Sequence, residues 1–223
     1  MPRKYVKKRK FIKRRPIKRK RGAKKYTVKI RPSLGPVAPR TICSMRYSSM
    51  WQQASASLDY IFNLNSVWDP DRSGVGHQPY GRDTYATLYN RYRVFAVSGT
   101  LTTTIISGTA TVAILPMNDV VARTNMSLIR ETPGAQFKPV IAGQSTVIRF
   151  KYNLPKVNGS TPAAYKADDR FQAINNTDPI EQMGLHVLGS DSLGSPIGAS
   201  NMYHAINLTY HVEWFDPIEL AQS

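Results

Sequence analysis

The chain has 223 residues, a formal net charge of +17 and a single cysteine, Cys43. One cysteine excludes an intramolecular disulfide and a multi-cysteine metal cluster, and no apolar run approaches the roughly 18 residues of a membrane-spanning helix. The charge is confined: residues 1–31 hold 17 of the 31 Lys and Arg and no Asp or Glu, and the other 14 cations balance all 14 acidic residues.

The arm, residues 1–31, carries Arg3, Lys4, Lys7, Lys8, Arg9, Lys10, Lys13, Arg14, Arg15, Lys18, Arg19, Lys20, Arg21, Lys24, Lys25, Lys29 and Arg31. Like charge this dense, with few apolar residues between, predicts a disordered segment. Fully extended it would reach about 100 Å. Each cation that meets a phosphate releases a condensed counterion, so these residues are read as a sequence-independent nucleic-acid-binding set. Tyr5, Phe11 and Tyr26 either stack on unpaired bases or dock on the body. Two basic blocks with a short spacer also fit a bipartite nuclear import signal, whose partners are import receptors. A tail that only keeps the protein soluble is the weaker reading, since 17 uncompensated cations far exceed a solvated face.

Residues 32–40 form a Pro-rich linker: Pro32, Pro36 and Pro39 with Gly35 stop any helix and favour extended chain. The body, residues 41–223, reads as mostly strand. Candidate strands are Thr41 to Trp51 and Ser57 to Leu64, then a short helix capped by Asp83 with Tyr85, Leu88, Tyr89 and Tyr92 on one face. Arg93 to Ile106 follows, with Phe95, Val97, Leu101 and Ile105 on one parity. Ser107-Gly108 then predicts an antiparallel hairpin into Thr109 to Leu115. Gln136 to Ile141 and Ser145 to Asn153 flank a turn at Gly143, and Ile180 to Leu188 is a further candidate. The clearest strand is Tyr203 to Phe215, where Ile206, Leu208, Tyr210, Val212 and Trp214 alternate with Asn207, Thr209, His211 and Glu213. Many strands and almost no helix predict a sandwich or barrel.

Chemistry-bearing patterns are sparse. Asp69-Pro70-Asp71-Arg72-Ser73-Gly74 begins like a calcium loop, but Tyr80 stands where the bidentate Glu belongs. A rigid surface turn is the better reading. His77, His186, His204 and His211 show no ligand spacing with each other or with Cys43, so structural histidines and a buried small thiol are expected. Asp168-Asp169 alone is poor support for a metal-dependent enzyme on nucleic acid. The four Asn-x-Ser/Thr sequons, Asn125 among them, are read as chance in an Asn- and Thr-rich chain. No cofactor or enzymatic activity is expected.

Asn65-Ser66-Val67-Trp68-Asp69-Pro70-Asp71, Gly74-Val75-Gly76-His77-Gln78-Pro79 and Leu88-Tyr89-Asn90-Arg91-Tyr92-Arg93-Val94 resemble a segment of capsid proteins from small circular single-stranded DNA viruses of the circovirus-like kind. Glu131-Thr132-Pro133-Gly134-Ala135, the ending Val212-Glu213-Trp214-Phe215-Asp216-Pro217 and the basic arm resemble the middle and the two ends of those proteins. The resemblance implies an all-β fold: an eight-stranded antiparallel jelly roll of two packed four-stranded sheets behind the arm. It implies a homo-oligomer of sixty copies closing an icosahedral shell around viral single-stranded DNA, found in the virion and, during assembly, in the host nucleus. The rival expectation is a cellular nucleic-acid-binding protein, such as a ribosomal protein with a basic tail. Residues 32–223 sum to zero net charge, which argues against it.

Overall fold

The structure, a computed structural model, describes residues 37–53, 58–191, 193–195 and 201–219. All of them belong to the unit Ser33–Ser223. The basic arm, residues 1–31, and the start of the linker lie outside the described residues.

Nine strands make two antiparallel sheets. In chain order they are β1 (Arg40–Gln52), β2 (Asp59–Asn63), β3 (Tyr89–Ile105), β4 (Thr109–Met117), β5 (Gln136–Ile141), β6 (Ser145–Asn153), the two-residue β7 (Ala173–Ile174), β8 (Gly184–Asp191) and β9 (Met202–Pro217). One sheet runs β1-β9-β3-β6, with β7 also on β3; the other runs β2-β8-β4-β5. With β7 set aside, the first long strand pairs with the last, the second with the seventh, the third with the sixth and the fourth with the fifth. That nesting is a double ribbon rolled on itself, the topology of a jelly roll. The fifth strand of the first sheet is the one departure from two four-stranded sheets.

The sheets close on one apolar core. From β9 come Ile206, Leu208, Tyr210, Val212 and Trp214, all at most 1% exposed. Trp214 stacks on Tyr85 with ring centroids 5.7 Å apart and leans on Tyr92 at 5.4 Å. Burying each such large side chain contributes roughly 1.5–3 kcal/mol. The outer face of the four-stranded sheet is also covered: helix α2 (Met126–Glu131) lays Met126 and Ile129 on Ala113, Leu115 and Leu188. Asn125 caps that helix by accepting from the backbone N–H groups of Ser127 and Leu128, which gives one sequon asparagine a structural job.

Several expectations are corrected. β3 and β4 do not form a hairpin; they lie in different sheets, and Ser107-Gly108 turns the chain across the edge of the sandwich. Gly108 takes φ 76° there, a conformation glycine adopts without strain. The predicted helix is reduced to α1 (Arg82–Ala86), which has no side-chain cap. Tyr89 and Tyr92 belong to β3 and are buried. A strand fixed by β9 buries these aromatics, whereas a helix of two turns is marginal by itself. Within β3 the register shifts between Val94 and Ala96, so Phe95 is the extra residue of a bulge and only half-buried, while Val94 takes the core position. Such an insertion flips the parity of everything before it. Four further helical turns were not foreseen: α2, α3 (Leu154–Val157), α4 (Pro162–Ala167), which is opened by a Thr161 cap and Pro162, and a 3-10 turn at Asp169–Phe171.

Candidate functional site

The segment resembling viral shell proteins folds into a brace, and its polar residues are spent on holding loops. Asn65 donates to the Glu181 carbonyl at 2.6 Å and accepts from the Met183 N–H at 2.9 Å. Ser66 Oγ accepts from the N–H groups of Trp68 and Asp69 and donates to Asp178. Tyr92 donates to the Thr177 carbonyl at 2.8 Å. Arg82, 2% exposed, lies over the Trp68 ring at 4.7 Å and donates to Asn175 at 2.8 Å. Together they tie the β2–β3 connection to the β7–β8 connection.

Asp71 is not a surface residue, which corrects the reading of its turn. It is 2% exposed, and its carboxylate accepts from the Tyr60 hydroxyl at 2.9 Å and the Ser73 N–H at 3.0 Å. Burial, with the Asp71 charge adding, pushes the Tyr47 phenol up to about 12; burial, offset in part by Ser73, does the same for Tyr60. Both phenols stay protonated, and Tyr60 donates to Asp71. Among the described residues no group of three or more His, Cys, Asp or Glu is placed to hold a metal ion.

The histidines sit in structural contacts. His186 Nδ1 lies 2.6 Å from Asp59 Oδ2, both side chains buried. His204 bridges Thr103 Oγ1 at 3.0 Å and Gln53 Oε1 at 3.1 Å. His211 meets Ser44 at 3.0 Å, and His77 stacks on Tyr47 at 4.7 Å. Cys43 is half-buried, and desolvation raises its thiol pKa despite contacts from Tyr85 and Trp214. Asp168 is turned to Arg170, whose hydrogen bonds and charge hold its pKa low.

The 17 arm residues named from the sequence lie outside the described residues; the place where the body receives the chain does not. Val37 packs on the core, the Ala38 carbonyl accepts from Tyr89 at 3.0 Å, and β1 opens at Arg40 opposite Phe215. Around this entry Arg40, Arg93 and Lys166 converge on Glu213 at 2.9, 3.7 and 3.0 Å, and Arg91 faces Asp216 at 3.7 Å. Four cations against two carboxylates leave the entry positive. Burial pulls the Arg93 pKa down and the Glu213 charge opposes it. Sequence reading missed this cluster, because α4 and strand residues far apart in the chain build it; the cross-strand pair Arg93–Glu213 was visible only once register was known.

Two clefts lie on the outer face of the five-stranded sheet. One, about 680 Å³, is floored by residues of β1, β9 and β3 and walled by His77 and Tyr80. The other, about 420 Å³, lies further along the same strands beside Tyr203.

No family model matches the chain, and no curated protein is similar to it at a significant level. Solved structures are similar in fold. A chain of Cocksfoot mottle virus matches with a TM-score of 0.49 at 13% identity, covering 80% of this chain and 96% of that one. A chain of the virus-like particle of Macrobrachium rosenbergii nodavirus matches with a TM-score of 0.47 at 12% identity, covering 85% and 100%. A chain of Desmodium yellow mottle tymovirus matches with a TM-score of 0.43 at 13% identity, covering 86% and 98%.

Proposed function

We propose that the chain is a capsid protein whose jelly-roll body, residues 41–223, builds a small icosahedral shell and whose arm, residues 1–31, packages a single-stranded genome. One observation carries the reading: 17 cations confined to one end of a chain whose remainder sums to zero and folds as a rolled double ribbon. Neutral bodies pack edge to edge without large repulsion, while arms repel one another until a polyanion is present. The body also exposes large apolar side chains at its loops, Val75 (87%), Ile180 (80%) and Leu193 (92%), the kind of surface that contacts between copies bury. With sixty copies the interior would hold roughly 1,000 positive charges, enough to offset much of a small genome. Circular single-stranded DNA as cargo, and passage through the nucleus by the two basic blocks, follow from the resemblance and from the arm's pattern.

The test is assembly of the purified chain, followed by electron microscopy and light scattering with and without single-stranded DNA over a range of salt. Closed megadalton particles that form with DNA and weaken as salt rises are expected. A chain that stays monomeric under all these conditions refutes the shell. Particles whose nucleic-acid content is unchanged by removal of residues 1–31 refute the role of the arm.

A further inference from the structure

The body is neutral in sum but not in distribution. On the outer face of the five-stranded sheet, register sets the side chains in rows. One row runs Arg46 on β1, Thr209 on β9, Ser98 on β3 and Lys151 on β6. The next runs Ser48, Asn207, Thr100 and Arg149. The four segments that make this face, 44–52, 96–104, 145–153 and 203–211, contain no Asp or Glu. Arg46, Arg149 and Lys151 are all exposed, and among the described residues none of them forms an ion pair. Elsewhere on the body Arg40, Arg82, Arg91, Arg93, Arg123 and Arg170 are paired with carboxylates, while Arg72, Arg130, Lys138 and Lys156 are not, among the described residues, and lie off this face, so the face is set apart by its want of any acid and not by unpaired cations alone.

Between the cations the surface is hydroxyl and amide, groups that donate and accept hydrogen bonds. Neighbouring strands are about 4.8 Å apart, so Arg46 and Lys151 stand about 14 Å apart across the sheet, with Arg149 about 7 Å along β6 from Lys151. Along the β1 edge the Tyr80 N–H donates to the Arg46 carbonyl at 3.3 Å. That bond sets the exposed Tyr80 ring beside the larger cleft, and Tyr203 stands in the smaller one. A face meant for a second protein copy would centre on apolar groups. This one offers fixed cations, a hydrogen-bonding floor and aromatic rings at its margins, the components of a single-strand track.

We propose that the outer face of the five-stranded sheet is a second nucleic-acid contact, with phosphates held at Arg46, Arg149 and Lys151 and bases against Tyr80 and Tyr203. It rests on the reading of the chain as a genome-enclosing protein and adds a site on the folded body to the one on the arm. The arm's last cation, Arg31, is nine residues before Arg40 at the start of the same sheet, within about 30 Å of chain. A strand held by the arm is therefore within reach of this face.

The test uses the full chain and a fluorescent 20-nucleotide oligothymidylate, with affinity measured against salt. Each single-strand phosphate contact contributes about 0.7 to the slope of log affinity on log salt. The triple variant Arg46→Ala, Arg149→Ala, Lys151→Ala is expected to lose about 2 from that slope. A control, Arg72→Ala, Arg130→Ala, Lys156→Ala, removes the same charge from other surfaces and should keep it. Equal slopes for the two variants overturn the face and leave the arm standing. A wild-type affinity independent of salt overturns both. Photo-cross-linking of the wild-type chain to an iodouridine oligonucleotide gives a readout that needs no variant. Adducts on peptides containing Tyr80 or Tyr203 support the track, and adducts confined to residues 1–31 overturn it.

Discussion

Acid should weaken the body through His204. This side chain is 2% exposed, stacks against Trp51 at 4.8 Å and is held between Thr103 and Gln53. Burial pulls its pKa from 6.5 down to about 4. The unfolded chain therefore binds a proton between those two values that the folded chain refuses. Stability from keeping His204 neutral is present above pH 6.5 and is lost as the pH falls through about 4. Each pKa unit is about 1.36 kcal/mol, so the full loss is about 3 kcal/mol, of which about 1.4 kcal/mol has gone by pH 5.5. Urea denaturation of the purified chain in high salt, at pH 7.5, 5.5 and 4, measures it. His204→Gln lacks the titration, and other groups, including the His186–Asp59 pair on the opposite sheet, are common to both proteins and cancel. The stability difference between wild type and variant should shift by about 3 kcal/mol in the variant's favour from pH 7.5 to pH 4. A constant difference across that range refutes the reasoning.

Gly99→Ala should cost about 1–3 kcal/mol, because its new Cβ would stand 2.3 Å from the Asn207 carbonyl oxygen and 2.8 Å from the Phe150 ring; the urea midpoint reports it. Glu213→Gln strips the carboxylate from Arg93, whose side chain is only 6% exposed. A loss of about 3 kcal/mol is expected, seen as a fall in Tm of roughly 6–12 °C. Cys43 should react with a disulfide reagent at pH 8 several-fold more slowly than an unfolded control, since desolvation keeps it a thiol.

Where one face of a strand meets the core and the other meets solvent, the sequence showed it plainly. β9 alternates apolar and polar residues over most of its length, and every inward residue read from the pattern is buried. β3 was harder. Its bulge at Phe95 changes parity without leaving a mark in residue type, so Tyr89 and Tyr92 were read on a helix and the strand was begun at Arg93 with Phe95 on the parity of Val97. Ser107-Gly108 was read correctly as a turn and wrongly as a hairpin, since a tight turn looks the same whether it joins neighbours in one sheet or crosses between two. Asp71 reads as a surface aspartate because its half-buried partner, Tyr60, stands on β2, eleven residues before it. The acid-free face was legible strand by strand, yet only the register of β1, β9, β3 and β6 assembles four separate segments into one surface.

The pairing of β1 with β9 spans the chain: Arg40 lies opposite Phe215 and Gln52 opposite Tyr203. β9 also supplies the middle of its sheet, between β1 and β3. A nascent polypeptide therefore has no central strand in this sheet until residues 202–217 have been made, and contacts of such sequence separation form slowly. Prematurely terminated products have no platform on which to close. A product cut short before Met202 thus lacks the strand that both β1 and β3 need as a partner.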